Sequence, residues 1–366
     1  MMSQDVQSIL VIYTGGTIGM TRDRETGGLV PLDFDQVTKH VPELDHAGIE
    51  VEAVSFDTPI DSSDVAPKHW RTLAQTIVQC HDRFDGFVVL HGTDTMAYSA
   101  SALSFMLRGL QKPVIFTGSQ LPIGVPRTDG RENLLSALML AAHQTDGRAT
   151  VREVAVYFGN QLFRGNRTHK ESAQSLQAVV SPNHPPLVEA GVDFVVNEPA
   201  LWVPDPELLR PEATLEFRQE VAWVSLYPGM PLDLLRQTLE WHDLRGVVLA
   251  TYGSGNAPTA PLLKDLLREA NDRGVAMVNV TQCGHGGVHP ELYATSHMLA
   301  GCGVIPGHDM TTEAALTKLM HVLAQTDDLS DIRDRMTSNL RGELTPYTPT
   351  RAEAHGPAGA AGLKAL

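Results

Sequence analysis

Only three cysteines occur in 366 residues, Cys80, Cys283 and Cys302. An odd and sparse set cannot build a disulfide framework and suits a reducing compartment. Basic charge is also short: 28 Lys and Arg stand against 43 Asp and Glu, a formal net charge of −15. That balance offers no basic face for a nucleic-acid backbone, and the acidity itself serves solubility. No apolar run approaches the roughly 20 residues of a membrane helix. Met1 to Ser8 lacks the cationic and apolar regions of a signal peptide. The expectation is a soluble cytoplasmic protein with neither a nucleic-acid nor a membrane partner. Internal repeats are missing too.

What is present begins with length. A chain of 366 residues, 42% hydrophobic, has room for about two domains with separate cores. The apolar stretch Ser8 to Tyr13 reads as a buried strand running straight into Thr14-Gly15-Gly16-Thr17-Ile18-Gly19. A hydroxyl at the carboxyl end of a strand, followed by a glycine turn, stands where open α/β sheets place ligands. Glycine lets the backbone turn sharply and lets a substrate approach main-chain N–H groups. The run is not a nucleotide loop: no Lys follows, and the glycine spacing differs from G-x-G-x-x-G. Thr14 is the candidate nucleophile; the competing reading is a plain tight turn.

Strand and helix signals alternate through the first 145 residues. Thr21 to Gly28 is a polar loop and lid candidate. Phe34 to Leu44 reads as a helix and Ile49 to Phe56 as a strand. Asp64 is a candidate cap for a helix with Pro67 in its first turn and apolar periodicity from Trp70 to Cys80. Phe84 to Leu90 and Pro113 to Thr117 read as strands, and Asn133 to Ala142 as a helix. Three strands in turn end in a hydroxyl beside glycine: Thr14-Gly15, Gly92-Thr93 and Thr117-Gly118-Ser119. If neighbours, they share one crevice. Prolines from Ser181 to Pro211 mark a connection, followed by a second βα series. The expected class is α/β: a larger N-terminal, doubly wound, mostly parallel sheet domain over 1–197, a linker over 198–218, and a smaller parallel α/β domain over 219–345. Residues 346–366, rich in Ala, Gly and Pro, are expected to be disordered.

Thr93-Asp94 is the second chemical element. A threonine hydroxyl needs activation, and Asp94 could orient a neighbour or meet a substrate ammonium; alternatively either residue caps the helix that follows. Lys170 is the candidate base, since a desolvated lysine beside an aspartate can exchange protons with a hydroxyl; taken alone it reads equally as a surface charge. Cys283-Gly284-His285-Gly286-Gly287-Val288-His289 matches no common zinc spacing, so no metal is expected. Trp202, Trp223 and Trp241 read as core or interface packing.

Taken together, these segments resemble the bacterial-type L-asparaginases, most closely their cytoplasmic type I branch. Tyr13 to Met20, Asp61-Ser62-Ser63-Asp64, Asp85 to Met96, Thr117-Gly118-Ser119-Gln120, Arg164 to Thr168, Tyr252 to Pro258 and Asn339 to Leu344 carry the likeness. The resemblance implies hydrolysis of L-asparagine to L-aspartate and ammonia with no metal and no organic cofactor. It implies that Thr14 attacks the side-chain amide to form an acyl-enzyme, and that Thr93, Asp94 and Lys170 handle protons and activate water. Main-chain N–H groups near Thr14 and Thr93, including Gly92, hold the oxyanion. Asp61, Ser62 and Ser63 grip the α-carboxylate, and Gly118 and Ser119 receive the departing nitrogen. Asn256 completes a neighbouring subunit's site, so a homodimer or dimer of dimers is implied. Two positions depart from the pattern. The lid tyrosine of the family is matched by Leu29, and no tyrosine lies between Met20 and Lys39. The arginine that joins a Thr-Gln-Cys segment in an allosteric asparagine site is matched by Ala250, so that regulation is not expected although Thr281-Gln282-Cys283 is present. Leu29 keeps a further reading open, a non-catalytic amino-acid sensor that retains the pocket; a glutaminase-asparaginase is a close variant of the asparaginase reading.

Overall fold

The computed structural model describes residues 6–22, 29–31, 41–43, 48–208, 210–289 and 294–346. The expected helix over Phe34 to Leu44 falls largely outside them, as do all but the first residue of the expected tail and the lid residues 23–28. The run of residues 8–13, apolar from Ile9 onward, becomes the inside of β1 (Gln7–Gly15), as expected of a strand buried on both faces. The larger sheet adds β2 (Ile49–Ile60), β3 (Gly86–Leu90), β4 (Val114–Thr117), β5 (Val154–Phe158), β6 (Gln161–Arg164), β7 (Val188–Ala190) and β8 (Phe194–Val196). Its spatial order is β2-β1-β3-β4-β5-β6-β7-β8. The first five of these strands pair in parallel, and β5 to β8 pair antiparallel.

Side chains alternate across this sheet. Leu10, Ile12, Phe87, Val89 and Phe116 pack toward α1 (Pro67–Cys80) and α2 (Met96–Met106). Ile9, Val11, Val88, Leu90 and Ile115 pack toward α3 (Gly130–Ala142) on the other face. The sheet is thus doubly wound. In α1 the buried residues Trp70, Leu73, Ala74 and Ile77 form one stripe at helical spacing. Its start corrects the expectation for Asp64. The cap position is Ala66, whose N–H donates to His69 Nδ1 at 3.0 Å and whose carbonyl accepts from the His69 N–H at 2.8 Å. Asp64 lies two residues too early and instead closes a 3-10 turn, Ser62–Asp64, capped by Asp61.

The second sheet holds β9 (Val221–Ser225), β10 (Gly246–Thr251), β11 (Ala276–Thr281) and β12 (Ile305–Pro306), parallel and in chain order. Val247, Leu249 and Met277 face α4 (Leu232–Leu239) and α5 (Pro261–Asp272). Val248, Ala250, Val278 and Val280 face α6 (Thr312–Leu323) and α7 (Leu329–Thr337). The small residues of α2 serve the junction of the two domains. They allow close packing against α6, where the Phe105 ring stacks on His321 at 6.1 Å. Within the expected connection, Glu212–Ala213 pairs with the short strand Leu107–Arg108. Trp223 and Trp241 are about half exposed in the single chain rather than core.

Candidate active site

Chain order reverses between β1 and β3. The strand that follows β1 lies on its outer side, and β4 lies beyond β3. At such a switch point the loops leaving the two strands part and open a crevice at their carboxyl ends. Thr14 stands at the end of β1, and Gly92-Thr93 follows β3. The turn after Thr14 needs its glycines: Gly15 has φ +131° and Gly16 φ +91°. A Cβ on Gly16 would lie 2.5 Å from the Gly92 nitrogen, and one on Gly92 would lie 2.5 Å from Ser62 Oγ. Three sequence motifs, around Thr14, Ser62 and Gly92, are therefore packed together, the first against the third through main chain and Gly92 against the Ser62 side chain.

The Thr14 hydroxyl is buried and donates to the Leu90 carbonyl at 2.9 Å. The Thr93 hydroxyl has different company. It accepts from Lys170 Nζ at 2.8 Å and donates to Gln120 Oε1 at 3.2 Å. The same ammonium is hydrogen-bonded to the Asp94 carboxylate. Lys170 is largely enclosed, while Asp94 is mostly open to solvent. A lysine 77 residues from Thr93 in sequence is held there by a short hairpin, His169–Lys170 against Val179–Val180. Neither Thr93 nor Asp94 caps α2, contrary to the capping alternative. The cap position is Thr95, and its hydroxyl donates to the Ser62 carbonyl at 2.7 Å.

The other expected residues fall around this pair. The Asp61 carboxylate accepts from the Ser63 N–H at 2.9 Å and the Ser63 hydroxyl at 2.8 Å, and these bonds lower its pKa. Ser119 is buried and donates to the Leu121 carbonyl at 2.6 Å. A Cβ on Gly118 would lie 2.3 Å from the His91 carbonyl oxygen, so this loop also abuts the end of β3. Asn256 stands in the second domain, where Tyr252 and Asn256 form a bridge after β10. Ala250 is also there, its carbonyl accepting from Gln282 Nε2 at 2.8 Å. The segment expected as a lid loop from Thr21 is in part a strand. Met20–Arg22 pairs antiparallel with Leu29–Pro31, placing Arg22 opposite Leu29. Among the described residues no group of three His, Cys, Asp or Glu is placed to hold a metal ion.

Sequence reasoning missed the supports. Asp129 accepts from the Gln120 and Leu121 N–H groups at 2.9 and 3.1 Å, fixing the main chain of Gln120, whose side chain meets Thr93 and donates to the Ser175 carbonyl at 3.1 Å. His91 is fully buried, and burial pushes its pKa down to about 4, so it is neutral. Its Nδ1 is 2.7 Å from the Gly92 carbonyl, and its Nε2 is 2.9 Å from the Ser99 hydroxyl, which accepts from Trp70 Nε1 at 2.9 Å. Because a carbonyl only accepts, the proton sits on Nδ1, and Ser99 donates to Nε2. Farther out, Arg164 and Arg167 both donate to the Gly342 carbonyl, while Arg167 also meets Asp309 at 2.9 Å. Glu343 pairs with Lys318 at 2.5 Å, both fully buried. His91, Arg164, Arg167 and Glu343 stood as unassigned residues inside the sequence motifs, and Asp129 and Lys318 lay outside them.

Two family models cover most of the chain. "Asparaginase, N-terminal" matches residues 8–201, and "Glutaminase/Asparaginase C-terminal domain" matches residues 220–336. L-asparaginase 1 of Escherichia coli K12 is 45% identical over 344 residues, covering 93% of this chain and 98% of that one. The human 60 kDa lysophospholipase is 43% identical over 363 residues, with 92% of this chain and 61% of that protein covered. Among solved structures, L-asparaginase I of Vibrio cholerae superposes with a TM-score of 0.82 at 39% identity, over 93% of this chain and 99% of that one. With both domains matched in order and the threonine-lysine cluster at the reversal of the larger sheet, the chain belongs to the asparaginase family.

Proposed function

We propose that this chain hydrolyses L-asparagine to L-aspartate and ammonia, using Thr14 as nucleophile. The observation that carries this reading is the Lys170 ammonium bonded to both Thr93 and Asp94, at the crevice where β1 delivers Thr14. A lysine so placed can move a proton to or from a threonine hydroxyl. In the first step Thr14 Oγ1 bonds to the amide carbon and the C–N bond breaks. The Thr14 proton ends on the leaving nitrogen, and ammonia departs. The Leu90 carbonyl holds that hydroxyl at rest but cannot take its proton, so the proton must leave through the substrate side. In the second step water attacks the acyl carbon as its proton passes to the Thr93 oxygen, the Thr93 proton passes to Lys170, and Lys170 gives one of its own to the Asp94 carboxylate. The C–Oγ1 bond then breaks, the proton is returned along the same route to Oγ1, and Thr14 is regenerated with L-aspartate released. Main-chain N–H groups after β1 and β3, including that of Gly92, stabilise the oxyanion, each worth about 3 kcal/mol. Asp94 faces the substrate ammonium; Asp61, Ser62 and Ser63 its carboxylate; Gly118 and Ser119 the departing nitrogen.

The same reading makes the protein a cytoplasmic homodimer or dimer of dimers, in which Asn256 reaches a neighbouring subunit's site. Its units are 1–197 and 219–345, joined by 198–218. The test is ammonia release from L-Asn and L-Gln by pure protein, beside Thr14→Ala and Thr93→Val. Wild type is expected to prefer L-Asn, and each variant to lose about 10³-fold or more in kcat/KM. Binding of L-Asn by calorimetry without any ammonia release sinks the enzyme reading in favour of a sensor. Equal rates on L-Gln would make it a glutaminase-asparaginase.

A further inference from the structure

Away from this crevice, a cavity of about 200 Å³ lies where the end of α2, the segment before β5 and residues near 341 meet. Three arginines line it: Arg108, Arg152 and Arg341. Such a convergence is unexpected in a chain with a net charge of −15. The two carboxylates in the same wall do not neutralise it. Glu153 is spent on Arg164, at 2.6 Å, and on the Trp202 N–H, at 2.7 Å. Asp205 stands 4.0 Å from Arg108, the outer limit of an ion pair, and no described carboxylate pairs with Arg152 or Arg341. Arg341 Nε is enclosed without a hydrogen-bond partner, and its Nη1 reaches only the Leu340 carbonyl at 2.6 Å. Burial depresses the Arg341 pKa, Glu343 opposes that, and the like charge of Arg108 adds to the depression. Arg152 and Trp202 also line a wider groove along residues 145–150, which offers an approach.

Like charges that converge on a small cavity, one of them with an unmet buried donor, are in an arrangement completed by an acceptor-rich anion. We infer that this cavity binds a small oxyanion carrying two negative charges, held by the forked donors of Arg108, Arg152 and Arg341. The chemistry is shared by a phosphate group and a short dicarboxylate. Both fit the volume, and neither source touches Thr14, Thr93 or Lys170.

The full chain is titrated calorimetrically with inorganic phosphate and, separately, with succinate, at about 0.15 M ionic strength, where purely diffuse attraction is screened. One site per chain is expected for at least one of the two anions, and which one binds identifies the source. Arg152→Gln and Arg108→Gln, both at positions open enough to keep the fold, are each expected to raise Kd about tenfold or more. Ammonia release from L-asparagine is expected to stay within about twofold of wild type in both variants. No saturable heat with either anion, or an unchanged Kd in both variants, overturns the inference. Because ammonia release is read in the same preparations, failure of the anion site and failure of the proposed hydrolysis are separate results.

Discussion

Both domains contain parallel strands that run into threonine, yet the company those threonines keep differs. In the second domain the Thr251 hydroxyl donates to Asn279 Oδ1 at 2.7 Å and the Thr281 hydroxyl to the Gly253 carbonyl at 2.5 Å. Both are tied to neutral neighbours, one on the adjacent strand and one in the loop after β10. In the first domain Thr93 instead meets an ammonium brought from far along the chain. The sheets explain the contrast. The second runs β9 to β12 in one direction and has no reversal, so its loops follow one another. The first reverses at β1, so loops from opposite directions leave a crevice that a lysine can enter. A threonine after a strand is thus common property; the change in strand order makes one of them a candidate for chemistry.

The sharpest break of that comparison is catalytic. Thr93→Val or Lys170→Met is expected to lower kcat/KM for L-asparagine by about 10³-fold or more, whereas Thr281→Val should leave it within about threefold. Comparable losses at Thr281 would show that the reversal does not single out the site. Next in size comes the pair Lys318–Glu343. Glu343→Gln strands a buried ammonium and should cost about 3–5 kcal/mol in denaturant unfolding, while replacing both partners by Met and Leu should recover most of it. If the double replacement is as damaged as the single one, the pair acts through more than charge.

Glycines test the contrast at main-chain level. Gly16→Ala forces a Cβ to 2.5 Å from the Gly92 nitrogen at φ +91°, and Gly253→Ala meets nothing nearer than 3.9 Å at φ +49°. The first is expected to cost about 3 kcal/mol or to abolish folding, the second about 1 kcal/mol, by thermal or chemical denaturation. The smallest effect is a pH slope. Burial lowers the pKa values of His91, His184 and His321 from 6.5 to about 4. Between those values the unfolded chain binds more protons, so the stabilising contribution is complete above pH 6.5 and is lost as pH falls toward 4. His321→Phe should reduce that acid slope by about one proton. His169 runs the other way: its hydrogen bond to Glu313 raises its pKa, so its contribution holds below 6.5 and fades as pH rises through the raised value.

Legibility followed the range of the physics. The βα alternation, the strand ends and Pro67 in the first turn of α1 are local, and each was readable from pattern alone. Thr93, Asp94 and Lys170 were nameable, but their meeting depends on a hairpin over residues 169–180 that periodicity does not reveal. Asp64 was misread because the chain makes a turn before it makes the helix, and Asp61 takes the capping role. His91 and Asp129 were passed over because a buried histidine and a loop aspartate acquire meaning only through Gly92, Ser99, Gln120 and Leu121 around them.

The Gly342 carbonyl, which receives Arg164 and Arg167, has a consequence for synthesis. Those arginines flank the turn that leads into Lys170, and the acceptor they share is made 175 residues or more after them. On the ribosome, the strands bearing Thr14 and Thr93 emerge first, but the loop bearing the lysine gains its last anchor only when residues near 342 have left the exit tunnel. Full anchoring of that turn is therefore timed by the far end of the second domain, and a chain halted before that point carries every proposed catalytic side chain without the carbonyl that Arg164 and Arg167 share.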